Sequence, residues 1–477
     1  MSKKPLFKIF TDEEVQSIHF AILEVLEKTG VKIMAPRAVE ILHSHGCMID
    51  RERVYIPSYL VEEAIQKAPK RFRLYDREGN TAFEVGGKES HFGTGPTTPY
   101  VLDVRTGERR PTRVDDIADA ARVCDALKNI EWIMPLGSAQ DVTPGVADVY
   151  EFEAAVVNTS KPISFISSGG QGVRDVVQMA AAARGDMQSL IQKPFIVAFP
   201  EPICPLVHPK DAVEEILAAA EAGIPLAYFP GPMTGATSPV TLAGTIVLAM
   251  ADALTGLVIA QLVHPGNPMV LGIAVNEMDM STGALCCGPP EFSLGNAGHA
   301  EVLQYYGLPS WGTAGLTDSK IVDEQAAVES TFSCVMNALA GLNMVHDSGY
   351  MEIGMCGSID MVVLTDEILN MVRRVLRGIE VNPDTLAVQV IDDVGPGGNF
   401  LAEDHTLRYC REETTSMKMM DRSNFAHWKE KGGLTLGRRI NARSREILQH
   451  HEPPQLQESK RKEISEMRKR SVSERTR

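Results

Sequence analysis

Few side chains in this sequence are placed to do acid–base or nucleophilic work, and those few follow short apolar runs. His346 closes the run Asn343-Met344-Val345, and Glu201 comes two residues after Phe195-Ile196-Val197-Ala198-Phe199. Gln140, Ser167 to Gly170, Gly231 to Thr234 with Gly235 behind, Asn276, Asn296 and Thr313 hold comparable positions. An imidazole such as His346 can move a proton near neutral pH or can be a hydrogen-bonded side chain under a loop, and its own neighbourhood leaves both readings open. What is missing narrows the chemistry further. No Lys follows an apolar run to form a Schiff base, no two carboxylates share a fixed local spacing, and no metal cluster or activated nucleophile is visible. Aromatic rings are more available. Phe165 and Trp311 read as core, whereas Tyr350, in a glycine-rich loop, and Phe229, just before Pro230-Gly231-Pro232, read as site candidates.

The elements that must position these residues are clearest between Pro309 and Ser358. The run Ser310-Trp311-Gly312, a helix reaching Ala340 and the run Asn343 to His346 make a β-α-β unit. Val328, Phe332, Val335, Met336 and Leu339 recur at helical spacing, Asp318 or Ser319 can cap the start, and Gly341 can end it. Parallel strands open their carboxyl ends on one side, where loops collect chemistry, so Gly312-Thr313 and His346-Asp347 should be neighbours. Eight such runs can be counted: Trp132 to Leu136, Ile163 to Ile166, Phe195 to Phe199, Leu226 to Phe229, Met269 to Ile273, Glu291 to Leu294, Ser310 to Gly312, and Asn343 to His346. Each is followed by helix-compatible sequence. The pattern predicts an α/β fold, a (β/α)8 TIM barrel over residues 116–380.

An N-terminal α+β appendage precedes it over residues 1–115, with helical patterns near 13–29, 37–45 and 58–67 and then two hairpins. Between the hairpins, His91 to Tyr100 is so rich in Gly, Thr and Pro that it reads as a loop on the larger domain, with Phe92 and Tyr100 free to line a cavity. A C-terminal helical extension over 381–450 should pack on the barrel or on another subunit of a homo-oligomer. The charged tail 451–477 reads as a solvated helix or frayed terminus, with docking to an acidic partner as the lesser reading. Pro239 to His264 carries only Asp252 as a charge, yet its Thr and Gln residues and its Ser-Pro start predict a buried helix, not a membrane span.

Composition sets outer limits. A net charge of −15 argues against a nucleic-acid surface, and eight cysteines without a C-x-x-C pair, behind a start with no signal peptide, fit a reducing cytoplasm. His43-Ser44-His45-Gly46-Cys47 reads as a helix end, not a zinc site, and no metal is expected. Ser168-Gly169-Gly170-Gln171-Gly172 could cradle an anion at a helix start, which keeps a flavin or phosphate-ester barrel as a weaker alternative.

Several segments, in order along nearly the whole chain, carry a family resemblance. They are Val101-Leu102-Asp103 with Thr106-Gly107-Glu108, Gly235-Ala236-Thr237-Ser238-Pro239-Val240-Thr241-Leu242-Ala243-Gly244, Ala260-Gln261-Leu262-Val263, Thr317-Asp318-Ser319-Lys320, Gln325-Ala326-Ala327 and Gly397-Gly398-Asn399-Phe400-Leu401. Together they resemble the trimethylamine methyltransferase family, which transfers a methyl group from a methylated amine to the cobalt of a corrinoid protein. Founding members carry pyrrolysine. This chain has ordinary residues across the loop from His346 to Ser358, and so looks like the branch without it, whose known members demethylate quaternary amines, glycine betaine in particular.

The resemblance implies a methyltransferase that binds no cofactor tightly and meets its corrinoid on a partner protein, through an apolar collar at the barrel mouth. It also implies a cage for a permanent cation, for which position at the strand ends, not the family, offers Tyr350, Phe229 and, from the appendage, Tyr100 as rings and Glu201 as a source of negative potential. His346, Asn296, Gln140 and the N–H groups of Thr234 and Gly235 would bind the substrate carboxylate, with His346 and Glu201 nearest the chemistry. Another betaine, carnitine, a tertiary methylamine, or a barrel that binds a quaternary amine without catalysis remain alternatives.

Overall fold

Short apolar runs bounded by Pro and Gly become eight parallel strands closed into a ring, in a computed structural model that describes residues 5–476. The strands are β1 (His91–Thr94), β2 (Ile130–Trp132), β3 (Ile163–Phe165), β4 (Ile196–Ala198), β5 (Leu226–Tyr228), β6 (Met269–Gly272), β7 (Ser310–Thr313) and β8 (Met344–Ser348). Each pairs with the next and β8 returns to β1, with β2 and β3 joined through Ile133 and Ile163. The helices outside are α1 (Val114–Ala126), α2 (Ala147–Asn158), α3 (Gly169–Arg184), α4 (Lys210–Glu221), α5 (Leu242–Val263), α6 (Pro290–Tyr306), α7 (Glu324–Ala340) and α8 (Ile359–Arg377). This is the (β/α)8 barrel that the sequence predicts.

Two strands differ from expectation. Glu291 to Leu294 is the first turn of α6, where Pro290 at the helix start supplies a preset φ and no N–H that needs a partner. The ring instead takes β1 from the stretch read as a loop. Its Gly93 serves close packing, because a Cβ there would run into the Trp132 ring.

In α7, the cap is Asp323, not Asp318 or Ser319. The Asp318 carboxylate instead accepts the Cys287 and Gly288 N–H groups. Val328 and Phe332 face solvent while Ser330, Cys334 and Asn337 are buried, the reverse of what hydrophobicity alone suggests.

Long, apolar α5 is mostly buried beneath α4, α6 and the N-terminal helices Asp12–Glu24, Pro36–Ser44 and Ser58–Lys67. Inside the ring, Trp132, Val197, Phe199, Phe229, Val270, Trp311 and Met344 pack together. Leu74, Phe83 and Val85, from the hairpin Phe72–Tyr75 and Thr81–Val85, join that cluster.

Beyond α8 come the short helices α9 (Val388–Val394) and α10 (Asp404–Glu413), then α11 (Leu436–His450) against α1 and α8, and α12 (Glu458–Arg475) against α2 and α3. The charged tail is therefore docked, not solvated or frayed: Arg475 pairs with Asp148 at 3.0 Å, Arg468 pairs with Glu153, and Ile464 is buried. Its acidic partner is its own barrel.

Candidate active site

Strand alternation decides which side chains enter the barrel. Val197 and Phe199 on β4, Ala227 and Phe229 on β5, Trp311 on β7 and Met344 on β8 point inward, and Glu201, Thr313 and His346 continue those series toward the carboxyl end. His346 stands on an aromatic floor. Its ring lies 5.0 Å from Phe229 edge-on, 5.4 Å from Trp311 and 5.5 Å from Phe199, centre to centre. His346 Nδ1 is 2.9 Å from the Gly312 carbonyl oxygen, which can only accept, so Nδ1 carries a hydrogen. Nε2 is left toward Asp347 Oδ1, 3.4 Å away.

Asp347 would point out of the ring if the alternation held. A bulge in β8 and a left-handed backbone, φ 81°, carry it to the mouth instead. A non-glycine residue in that region costs on the order of 1–3 kcal/mol, strain that collects at functional sites. The Thr313 hydroxyl donates to Asp347 Oδ2, while Oδ1 has no hydrogen-bond donor. Gly95 makes room: a Cβ there would run into both the Asp347 carboxylate and the Tyr350 ring.

Glu201 keeps solvent-accessible surface while protein surrounds it, as a side chain lining an internal space does. Burial, and then the Asp347 carboxylate, push Glu201 up to about 7. Burial likewise raises Asp347, against the opposing pull of His346 and the Thr313 hydroxyl. Two acids thus disfavour each other's charge among aromatic rings. A cation placed between them relieves that cost.

Tyr350 is half-buried beside Asp347, and its hydroxyl donates to the Pro96 carbonyl, so the ring is the free part. The other sequence candidates lie elsewhere or are already engaged. Tyr100 has the Arg109 guanidinium over its face at 3.5 Å, and Arg109 pairs with Glu352 at 2.7 Å. Asn296 is buried within α6 and donates to Phe292 O at 2.9 Å. Gln140 is exposed, its amide turned to Ser138 O. The Thr234 N–H donates to Asn276 O and the Gly235 N–H to Ser238 O, so neither is open to a carboxylate.

The predicted anion cradle is filled in the same way. The Ser168 N–H donates to Asp148 and the Gly169 N–H to Glu215.

Sequence reasoning missed Asp347 as a site residue, along with Gly95 and the inward pair Phe199 and Trp311. Period-two alternation along β4 and β7 was the signal for the rings. Nothing local announced the left-handed turn at Asp347.

Fold and site together define a (β/α)8 barrel whose mouth is an acid-and-aromatic chamber. The profile of the trimethylamine methyltransferase (MTTB) family matches residues 1–474, and the chain belongs to that family. It is 37% identical to the trimethylamine methyltransferase MttB of Desulfitobacterium hafniense strain DCB-2, over 94% of this chain and 91% of that one. It is 32% identical to the glycine betaine methyltransferase of D. hafniense strain Y51, over 95% and 94%. The crystal structure of the Methanosarcina barkeri monomethylamine methyltransferase MtmB superimposes with a TM-score of 0.56 at 12% identity, covering 92% of this chain and 88% of that one, a likeness of fold.

Proposed function

We propose that this chain moves a methyl group from a quaternary amine, glycine betaine the favoured donor, to the Co(I) centre of a corrinoid protein, leaving dimethylglycine. The observation that carries the reading is the chamber itself, with His346 over Phe229, Trp311 and Phe199 and the two carboxylates of Glu201 and Asp347 at its rim. A trimethylammonium group cannot donate a hydrogen bond. It is held by ring faces, at about 0.5–2 kcal/mol each, and by fixed negative charge.

When the C–N bond breaks, its electron pair stays on nitrogen and the amine leaves neutral. No general acid is required, which fits a site where the acids stabilise a cation instead of delivering a proton. What the protein must supply is mainly position. Gly95, Thr313 and the left-handed backbone fix Asp347, and the Gly312 carbonyl fixes the ring of His346. Nδ1 already donates to the Gly312 carbonyl, so His346 meets a substrate carboxylate only with a second hydrogen, on Nε2.

The corrinoid, when bound by its own protein, supplies the cobalt nucleophile. The mouth suits such a visitor, since Ile203, Val240, Met280 and Met355, on the loops after β4, β5, β6 and β8, are exposed apolar residues.

A second reading, a protonated tertiary methylamine, is favoured by the paired acids and by the engaged N–H groups of Thr234 and Gly235. One panel separates them. With free cob(I)alamin as acceptor, followed by its absorbance, glycine betaine should be demethylated faster than trimethylamine. Turnover of trimethylamine alone would overturn the choice of donor, and tight betaine binding with no cobalt methylation would overturn catalysis.

A further inference from the structure

Three mouth loops meet at one short stretch. Thr317 to Ser319, between β7 and α7, bonds the loop after β6 on one side and the loop after β8 on the other. Toward β6, Asp318 Oδ1 accepts the Cys287 N–H at 2.8 Å and Oδ2 accepts the Gly288 N–H at 2.9 Å, so each oxygen of one half-buried carboxylate takes a donor. Toward β8, the Thr317 N–H donates to the Tyr350 carbonyl at 3.1 Å and the Glu352 N–H to the Ser319 carbonyl at 3.0 Å.

The stretch is itself braced from its helix. Glu329 Oε2, on α7, accepts the Thr317 hydroxyl at 2.6 Å and the Asp318 N–H at 2.9 Å. Gly288 lets the parts close in, since a Cβ there would run into the carboxylates of both Glu329 and Asp318.

What the clamp steadies is the wall that carries a ring of the chamber. Cys287 is buried with Phe292 and Leu316, and the side chains of Tyr350 and Ile353 pack against that cluster. Glu352 and Ile353 have left-handed backbones, φ 51° and 60°, which a β-branched residue such as Ile353 adopts only where its surroundings impose it. The wall is thus held by its neighbours, not by its own preferences. An ionised carboxylate suits the task, because it only accepts and its bonds to N–H groups are about twice as strong as those of a neutral acceptor. An Asn would turn its NH2 toward one of the two donors.

We infer that Asp318 is a positioning residue of the chamber: it holds Cys287 and Gly288 against the wall that carries Tyr350, and so sets where that ring meets the donor's ammonium group. This rests on the reading of the chamber as a cation site. The Asp318 oxygens are occupied by the two N–H groups, so its influence reaches the cation through Tyr350.

Calorimetry with tetramethylammonium on the parent, Asp318→Asn, Tyr350→Ala and the double variant tests this. Asp318→Asn should weaken binding about 3- to 10-fold beside Tyr350, and by less than about twofold once Tyr350 is Ala. In glycine betaine turnover with free cob(I)alamin it should raise KM by a similar factor and leave kcat within about twofold. Unchanged binding overturns the inference, as does a loss of equal size with and without Tyr350, or a kcat that falls while KM holds. A parent that does not bind tetramethylammonium overturns the cation chamber and this inference with it, whereas the other failures leave the chamber standing. Should Asp318→Asn not fold, Asp318→Ser, which leaves room for water at both N–H groups, carries the same expectations.

Discussion

Two histidine–aspartate pairs in this barrel have the same separation and different positions, one at the mouth and one in the shell. His346 Nε2 and Asp347 Oδ1 are 3.4 Å apart at the mouth, and His208 Nε2 and Asp252 Oδ1 are 3.4 Å apart in the shell. The shell pair is sealed. Both side chains are fully buried, His208 Nδ1 is 2.7 Å from the Tyr228 hydroxyl, and Asp252 Oδ2 accepts the Leu206 N–H. It ties α5 and β5 to the loop that begins at Glu201. At the mouth, Asp347 Oδ1 is buried and without a donor just as Asp252 Oδ1 is, but it stands at a strand end beside Tyr350 and acts on the charge of Glu201, which keeps exposed surface. Spacing is thus silent about role, and access to a ligand is what separates a chamber from a buttress.

The largest expected effect would break the comparison if it failed. Asp347→Asn keeps a residue tolerated in the left-handed region and removes the charge. Losing a buried carboxylate that faces a cation costs about 2–4 kcal/mol, so kcat/KM for methyl transfer should fall roughly 30- to 1000-fold with little change in Tm. Asp252→Asn should leave kcat/KM within about threefold. Comparable losses from both would mean that the two pairs do the same work.

Next in size is the ring beneath His346. Phe229→Leu keeps most of the volume and removes the π face, and should weaken glycine betaine by about 2- to 30-fold in calorimetry. Unchanged affinity would remove Phe229 from the cage.

Much of this was legible in the sequence because barrel strands advertise themselves. Pro before and a Gly or Pro turn after a short apolar run located β4, β5 and β6, and the β7-α7-β8 unit placed His346 at the mouth. β1 was hidden because what demands Gly93 is the indole of Trp132, a tertiary contact that no local rule contains. Asp347 was hidden in another way: it sits on the wrong side of the alternation and reaches the site only through the bulge in β8. Tyr100 and the Thr234 and Gly235 N–H groups were overcounted, since sequence shows a donor or a ring but not the partner already occupying it.

A smaller effect sharpens the mouth half of the comparison. Glu201, raised to about 7, is protonated below neutrality and gains its charge as pH rises through that value. Affinity for tetramethylammonium, a probe without a carboxylate of its own, should therefore grow about three- to tenfold from pH 6 to pH 8. Glu201→Gln should flatten that rise, and a rise that persists in the variant would assign the titration to another group.

The smallest effect tests the shell pair. Burial lowers His208 from 6.5 to about 3 and raises Asp252 from 3.8 to about 7, so the folded protein holds one proton, on Asp252, between about pH 4 and 6.5. The unfolded chain also holds one there, on His208. With equal proton counts the pair contributes no slope to stability across that window. Asp252→Asn removes the folded-state proton and leaves the unfolded-state one, so stability should fall as pH drops below 6.5, by about 1.4 kcal/mol per unit. In a chain of this length that is about 1 °C per pH unit in Tm relative to the parent, read by calorimetry from pH 6.5 to 4.5. A parallel pair of Tm profiles would show that His208 finds another proton source when Asp252 is gone.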